Sequence, residues 1–399
     1  MAMDRRTFIR STLGTAGAVA LGPALFHTAL ARPPSTRGGY GPLGEPDGHG
    51  IRLPKGFTAR EIGRTGEPVA GTVYPWHGAP DGGAVFATDD GGWIYVSNSE
   101  APSVLGGGAG AVRFDAGAEI VDAYRILSGT NINCAGGPTP WGTWLSCEEH
   151  PEGIVWECDP AGGAVGTPHP ALGSFAHEAA AVDPVRGHVY LTEDEGDGRF
   201  YRFAPTEYPD LSAGRLEVAI VGGDGSVVWV EVPEPSGGAG NPTRGQVPES
   251  TLFDGGEGAW YHAGVVYFTT KGDDKVWALD CAAQTMATVY DAAASGGPLR
   301  GVDNITVLPD GRLLVAEDGD DMQICMVDGD VVAPILEIVG QDGSEIAGPA
   351  LDPSGTRLYF SSQRGISEPG FGITYEVTGP FSGGTHPGRG VGGGPGRKP

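Results

Sequence analysis

The sequence predicts an all-β protein, a six-bladed β-propeller, from three observations. Its 399 residues include 70 glycines and 33 prolines. One short strand pattern recurs along most of the chain, and acidic residues recur in step with it. Glycine and proline at this density suit many short strands divided by tight turns and disfavour a helical protein. Propellers routinely exceed the usual domain size, so the length is compatible with one unit rather than two.

The strand pattern begins at Ile94, Thr143, Val189, Val266, Leu313 and Leu358. In each copy apolar and aromatic residues run into a small residue and then into polar ones, as in Leu358-Tyr359-Phe360-Ser361-Ser362. The starts are 49, 46, 77, 47 and 45 residues apart. All but the 77-residue interval match the length of a four-stranded propeller blade. An insertion around residues 205–250 accounts for the long interval, with residues 214–220 and 227–232 reading as an extra hairpin. A seventh blade hidden there is the rival reading.

In a propeller the innermost strand of each blade lines the central channel, so equivalent positions form a ring. Nine to eleven residues before the repeated strands stand Cys134, Glu178, Glu257, Asp303/Asn304 and Gly348/Pro349. Just past the strands lie Asn98 to Glu100, Glu148/Glu149, Glu193/Asp194, Glu317/Asp318 and Gln363/Arg364. Carboxylates crowded at one channel mouth repel one another and raise each other's pKa unless cations neutralise them. The ring therefore predicts bound metal. Hard oxygen ligands suit Ca2+, whereas a thiolate at Cys134 favours a softer ion such as iron. At any single position, solvation or a turn hydrogen bond explains a strand-end carboxylate equally well.

The chain ends read differently from this core. Arg5-Arg6, an apolar small-residue stretch from Ser11 to about Phe26, and Ala29-Leu30-Ala31 form a removable twin-arginine signal peptide over residues 1–31. A membrane anchor fits less well, because the stretch is shorter than the ~20 residues that span a bilayer. The expectation is a secreted or periplasmic protein, handed to the Tat translocase and unanchored once the signal is cleaved. Residues 32–379 then form the propeller, and residues 380–399 are a disordered Gly/Pro-rich tail. Removing residues 1–31 leaves 22 basic and 49 acidic side chains, a net charge of −27. Such a field repels nucleic acid and attracts divalent cations. A monomer is expected.

Residues 133–149 read NCAGGPTPWGTWLSCEE. They closely resemble the N-C-A-G-G-x-T-P-W-G-T-W-L-T-C-E-E signature of the PhoX-type alkaline phosphatases. Asn98-Ser99-Glu100 is similar to the family's N-H-E, with serine for histidine. His177-Glu178 with Thr192-Glu193-Asp194 resembles its H-E and T-E-D pair, and Asp303-Asn304 with Glu317-Asp318 its D-N and C-E-D pair. Ala347-Gly348-Pro349 matches its A-G-P. The resemblance implies a six-bladed propeller whose mixed iron–calcium cluster, Fe3+ with Ca2+, hydrolyses small phosphate monoesters. It implies Cys134 as an iron ligand, with Glu100, Glu149, Glu178, Glu193, Glu257, Asp303, Asn304, Glu317 and Asp318 completing the metal shells. Asn133, Glu178 and Glu257 are the implied catalytic residues. No protein nucleophile is needed, since clustered metals polarise the phosphate and activate an oxygen.

One departure bears on activity. The family's F-x-R-P-E-G segment aligns with Phe253 to Gly258, so Gly255 stands where an arginine clamps the phosphate. Glycine cannot replace a bidentate guanidinium. Arg244, Arg300 and Arg364 are candidate substitutes, though any one of them alone reads better as an ordinary surface arginine. Two other functions stay open: a metal-binding propeller with weak or no phosphatase activity, and a calcium-dependent lactonase-like hydrolase. Among the histidines, His177 has the best claim to a role, because Glu178 follows it. Trp141, Trp144 and Trp260 read as packing between blades. Cys147 and Cys158 are a candidate disulfide across a hairpin, and Cys281 and Cys325 read equally as buried small hydrophobes or a pair.

Overall fold

The computed structural model describes residues 39–319, 321–366 and 371–381. The expected signal peptide and nearly all of the expected tail lie outside them. The described strands form six antiparallel sheets of four or five strands each, so the six-bladed propeller is borne out and no seventh sheet is present among the described residues. The innermost strands are Pro80–Ala87, Asn133–Pro138, His177–Asp183, Gly256–His262, Val302–Val307 and Ile346–Leu351. Each packs on the next around a closed ring, and they define blades 1 to 6 in that order.

The recurring pattern proves to be the second strand of every blade, for example Trp93–Ser99, Leu313–Glu317 and Arg357–Ser362. These strands are sandwiched between neighbouring blades and buried along almost their whole length. A strand covered on both faces reads as a continuous apolar run rather than an alternation, which is why it stood out in the sequence. The aromatic residues bind blade to blade. Phe200 of blade 3 stacks on Phe268 of blade 4 at 4.2 Å between ring centroids. Tyr95 of blade 1 stacks on Tyr359 of blade 6 at 5.0 Å.

The long interval is an enlargement of blade 3. Strand Asp210–Val221 runs on past the blade's edge and turns back as Val227–Glu231, a fifth strand. The predicted hairpin is therefore present, with a longer first arm. The ring closes by exchange of chain ends: the early strand Thr58–Arg64 is the outer strand of blade 6, paired to Ile373–Thr378. Phe381, inside the expected tail, is buried against Tyr40 and Phe57, so packing extends to that residue.

Every innermost strand carries the same irregularity. In blades 1 to 5, after the first ladder pair, three steps along it match only two along its neighbour, as where Asn133↔Glu148 is followed by Gly136↔Ser146; in blade 6 the slip follows the second pair, between Ala347 and Ala350. The same holds after His177↔Glu193 and after Val302↔Glu317. A bulge of this kind re-aims a side chain. Here the residue directly after the first pair is Asp81, Cys134, Glu178, Glu257 or Asp303 in blades 1 to 5. The glycines that follow are forced by crowding: a Cβ on Gly82 would lie 2.4 Å from Ala135 Cα, and one on Gly258 2.7 Å from Asn304 Cα.

All five cysteines are unpaired and buried. The register sets Cys147 opposite Val155 and Cys158 opposite Trp144, so the candidate disulfide is not formed. Cys281 and Cys325 pack as small hydrophobes in two different core clusters. Among the described residues no helix is long and apolar enough to cross a membrane.

Candidate metal centre

Two residues from each blade build the centre. The first is the bulge residue of the innermost strand. The second directly follows the second strand: Glu100, Glu149, Asp194, Lys271, Asp318 and Gln363 in blades 1 to 6. Its backbone N–H donates to the carbonyl just before the innermost strand, as Glu149 does to Ile132 and Asp318 to Gly301. That bond fixes both residues at one end of the channel.

The donors fall into sets that straddle neighbouring blades. Ligand atoms of Asp81, Glu100 and Cys134 lie within 4.8 Å of one another. So do those of Cys134, Glu149 and Glu178, of Glu178, Glu257 and Asp303, and of Asp303, Asp318 and Glu345. Cys134, Glu178 and Asp303 are each shared by two sets, so the sets form one continuous chain of donors. Blade 6 has Ala347 at the bulge, and Glu345 stands in for it from just before that strand.

Glu178 is the telling residue. It is 0% exposed, and neither carboxylate oxygen has a hydrogen-bond partner. A buried, unpaired carboxylate is among the costliest groups a fold can hold. Burial, then Glu257 and Glu149 beside it, pushes its pKa well above the carboxylate range. Burial raises Glu149 to about 9, helped by Glu100 and Asp194. Burial and Asp81 raise Glu100 to about 7. Asp303 is raised to about 8 by burial, against the pull of Lys271. The Cys134 thiol is likewise pushed up by burial and by Asp81. Cations in the ring would reverse every one of these shifts, so the donor set fits bound metal.

The geometry sorts the expected residues. Glu100, Cys134, Glu149, Glu178, Glu257, Asp303 and Asp318 come together in the ring. Glu193 and Glu317 do not. Glu193 accepts from Arg199 N and Tyr201 Oη and pairs with Arg244. Glu317 accepts from Arg300 N and Gln323 N. Glu148 does the same for Asn131 and Ile154. In each acidic pair the first member thus ties the blade's own loops and the second faces the channel. Asn133 is buried, accepting from Thr130 Oγ1 and donating to Ser146 Oγ, so its amide is spent on structural hydrogen bonds. Asn304 donates to Asp303 Oδ1 at 2.8 Å and accepts from Gly348 N, holding a ring carboxylate rather than joining it. His177 stacks on Phe175 and meets Gly173 O at 3.1 Å. Burial lowers its pKa to about 3, so it is a neutral packing residue.

Sequence reasoning missed Asp81, Glu345 and Lys271. Asp81 was missed because it lies thirteen residues before Ile94, outside the window of nine to eleven. Of the candidate arginines, Arg244 is held by Glu193, Glu195 and Asp197, and Arg300 by Tyr290 and Leu299 O. Arg364 alone reaches the ring, 3.0 Å from Glu345 and 3.7 Å from Asp318. Gly255 has φ +65° and lies at the ring's edge, where a Cβ would be 3.3 Å from Asp194 Oδ1.

A sequence model of the family described as alkaline phosphatase PhoX matches residues 81–275. No curated protein matches the sequence. Among solved structures, Pseudomonas fluorescens PhoX in complex with vanadate, a transition state analogue, superposes with a TM-score of 0.70. It is 17% identical, with 85% of this chain and 97% of that chain covered. A Bacteroides thetaiotaomicron protein of unknown function superposes with a TM-score of 0.51 at 10% identity, over 80% of this chain and 76% of that one. The family match begins at the first ring residue, Asp81, and takes in blades 1 to 3 and most of blade 4. From Asp81 to Lys275 the chain thus matches the model of the PhoX alkaline phosphatase family, and its fold is the six-bladed one that the resemblance of residues 133–149 implies.

Proposed function

We propose that the chain is an exported phosphatase that hydrolyses small phosphate monoesters at an iron–calcium centre in the channel mouth. The observation that carries this reading is the unpartnered, fully buried Glu178 at the joint of two donor sets, inside the stretch matched to the PhoX family. The sets that include Cys134 suit iron, because only they offer a thiolate. The two all-carboxylate sets suit calcium. Bound there, the metals would supply Lewis acidity toward the phosphate and an activated oxygen nucleophile.

The chain's own part is to hold and orient. Gln363 Nε2 donates to Asp81 Oδ2 at 2.5 Å and also to Glu100, fixing the carboxylates of blade 1 from blade 6. Arg364 is the residue placed to receive phosphate. Its side chain is 39% exposed and borders a cleft of about 1080 Å³ that extends over Tyr74, Leu105 and Phe371. Were Asp318 and Glu345 to hold a cation, the Arg364 guanidinium would be free to clamp the phosphate, with the cleft open to the alcohol portion. This takes over the work of the arginine that Gly255 replaces. Restoring an arginine at 255 is a poor test, because φ +65° strains any side chain there.

The deciding experiment is elemental analysis of the purified protein beside turnover of a chromogenic phosphate monoester. Iron with calcium, and turnover abolished by chelation and restored by both ions, is the expected result. Bound metal without turnover would favour the binding-only propeller, and absence of metal would overturn both. Export is tested separately: residues 1–31 should carry a folded reporter across the membrane, and changing Arg5 and Arg6 to lysine should stop it.

A further inference from the structure

The residue after the second strand is a carboxylate in four blades and the amide Gln363 in blade 6. Only blade 4 puts a cation, Lys271, at that place. Three of the four donor sets follow a rule: bulge residue of one blade, strand-end residue of the same blade, bulge residue of the next or its stand-in Glu345; Glu178, Glu257 and Asp303, three bulge residues, form the exception. Asp81, Glu100 and Cys134 obey it, as do Cys134, Glu149 and Glu178. Applied between blades 4 and 5, the rule gives Glu257, Lys271 and Asp303. The ammonium occupies the position itself: Nζ lies 2.7 Å from Glu257 Oε1 and 3.3 Å from Asp318 Oδ2. Burial works against its charge, but Glu257 and Asp303 outweigh burial and hold it protonated far above the ordinary lysine range.

We propose that Lys271 is a built-in counter-ion that takes the place of one divalent cation in the ring. The inference rests on the metal-centre reading above and refines it. A tethered ammonium neutralises Glu257 at every metal concentration and resists chelation. It supplies one charge and three N–H donors, so it cannot polarise an oxygen as a metal does. The blade 4–5 position is therefore structural, and the chemistry is confined to the remaining sets.

The test is ions per chain, measured on the purified full chain in calcium buffer, for the wild type, Lys271→Arg and Lys271→Asp. Lys271→Asp should gain one calcium per chain, and chelation should lower its Tm more than that of the wild type. Lys271→Arg should keep the wild-type count. A folded Lys271→Asp with an unchanged count overturns the inference and leaves the metal centre standing, whereas a wild type without metal overturns the metal centre itself. Should Lys271→Asp fold only with millimolar calcium present, calcium has replaced the ammonium as proposed. Failure to fold at any calcium level, with Lys271→Arg folding normally, refutes it.

Discussion

The two halves of the ring solve the same electrostatic problem differently. Blades 1 to 3 contribute Asp81, Glu100, Cys134, Glu149 and Glu178, and among the described residues none of them forms an ion pair. Blades 4 to 6 interleave Lys271 and Arg364 with Glu257, Asp318 and Glu345. The first half has no neutralising side chain of its own, so its neutrality would come from bound ions or from protons. The second is neutralised in part by its own chain. Cys134, the one soft donor of the ring, falls in the first half, and the family match spans all of that half while ending before Asp303. On the proposed reading, metal chemistry would be concentrated on one side and substrate handling, through Arg364, on the other.

Removing the joint between the halves should have the largest effect. Glu178→Gln is expected to lower kcat/KM for a phosphate monoester by at least about 100-fold, a loss near 2.7 kcal/mol, with bound metal lost as well. Turnover within twofold of wild type, with metal content unchanged, would break the comparison at its centre. Arg364→Ala probes the other half: KM should rise about tenfold, close to 1.4 kcal/mol, while ion content stays constant. A fall in kcat with KM unchanged would mean that Arg364 does not meet the substrate in its ground state.

The pH dependence separates the two kinds of neutrality. In metal-stripped protein the ring carboxylates have pKa values above those of the unfolded chain, with Glu100 at about 7, Asp303 at about 8 and Glu149 at about 9. Raised pKa values mean that the folded state binds more protons than the unfolded one between about pH 4.5 and pH 9. Their contribution is therefore fully present below that window and is lost as pH climbs through it. The Tm of stripped protein should fall steadily from pH 5 to pH 9, whereas calcium- and iron-loaded protein should show a much flatter profile. A stripped protein that gains stability across this range would contradict the buried, unpaired ring.

Glu193→Gln should have the smallest functional effect. It weakens the contacts to Arg244, Tyr201 and Arg199 N, costing about 1–3 kcal/mol of stability, and metal content should stay at the wild-type value. Loss of an ion in this variant would return Glu193 to the ring.

The contrast between Glu193 and Glu149 shows where the sequence stopped being readable. Both belong to an acidic pair at a blade-equivalent place, so their recurrence was visible. Which member faces the channel depends on backbone hydrogen bonds to the residue before the innermost strand, and those carry no side-chain signal. The blades themselves were legible because second strands buried on both faces must be apolar throughout. Cys134, Glu178, Glu257 and Asp303 were legible because hairpins of similar length hold them at constant distance from that pattern. Glu345 escaped because Ala347 occupies the blade-equivalent place, and Lys271 because a search for repeated acids passes over a cation that completes the same set.

Strand Thr58–Arg64 gives the ring a history as well as a shape. Arg60 meets Glu376, 316 residues further along the chain, so blade 6 cannot be finished until strand Ile373–Thr378 has been synthesised. Asp81 leaves the ribosome early, yet Gln363, which orients it, is among the last to emerge. A nascent chain that has made blades 1 to 3 already carries the thiol and most of the unpaired carboxylates, without the wall that gathers them. An ion met at that stage would find these donors without the closed ring and without Gln363 to orient Asp81, so binding free energy that depends on a preformed site would be largely missing. On the proposed reading, metal loading would be an event in the life of the closed ring, and the strand that completes blade 6 would decide when it can begin.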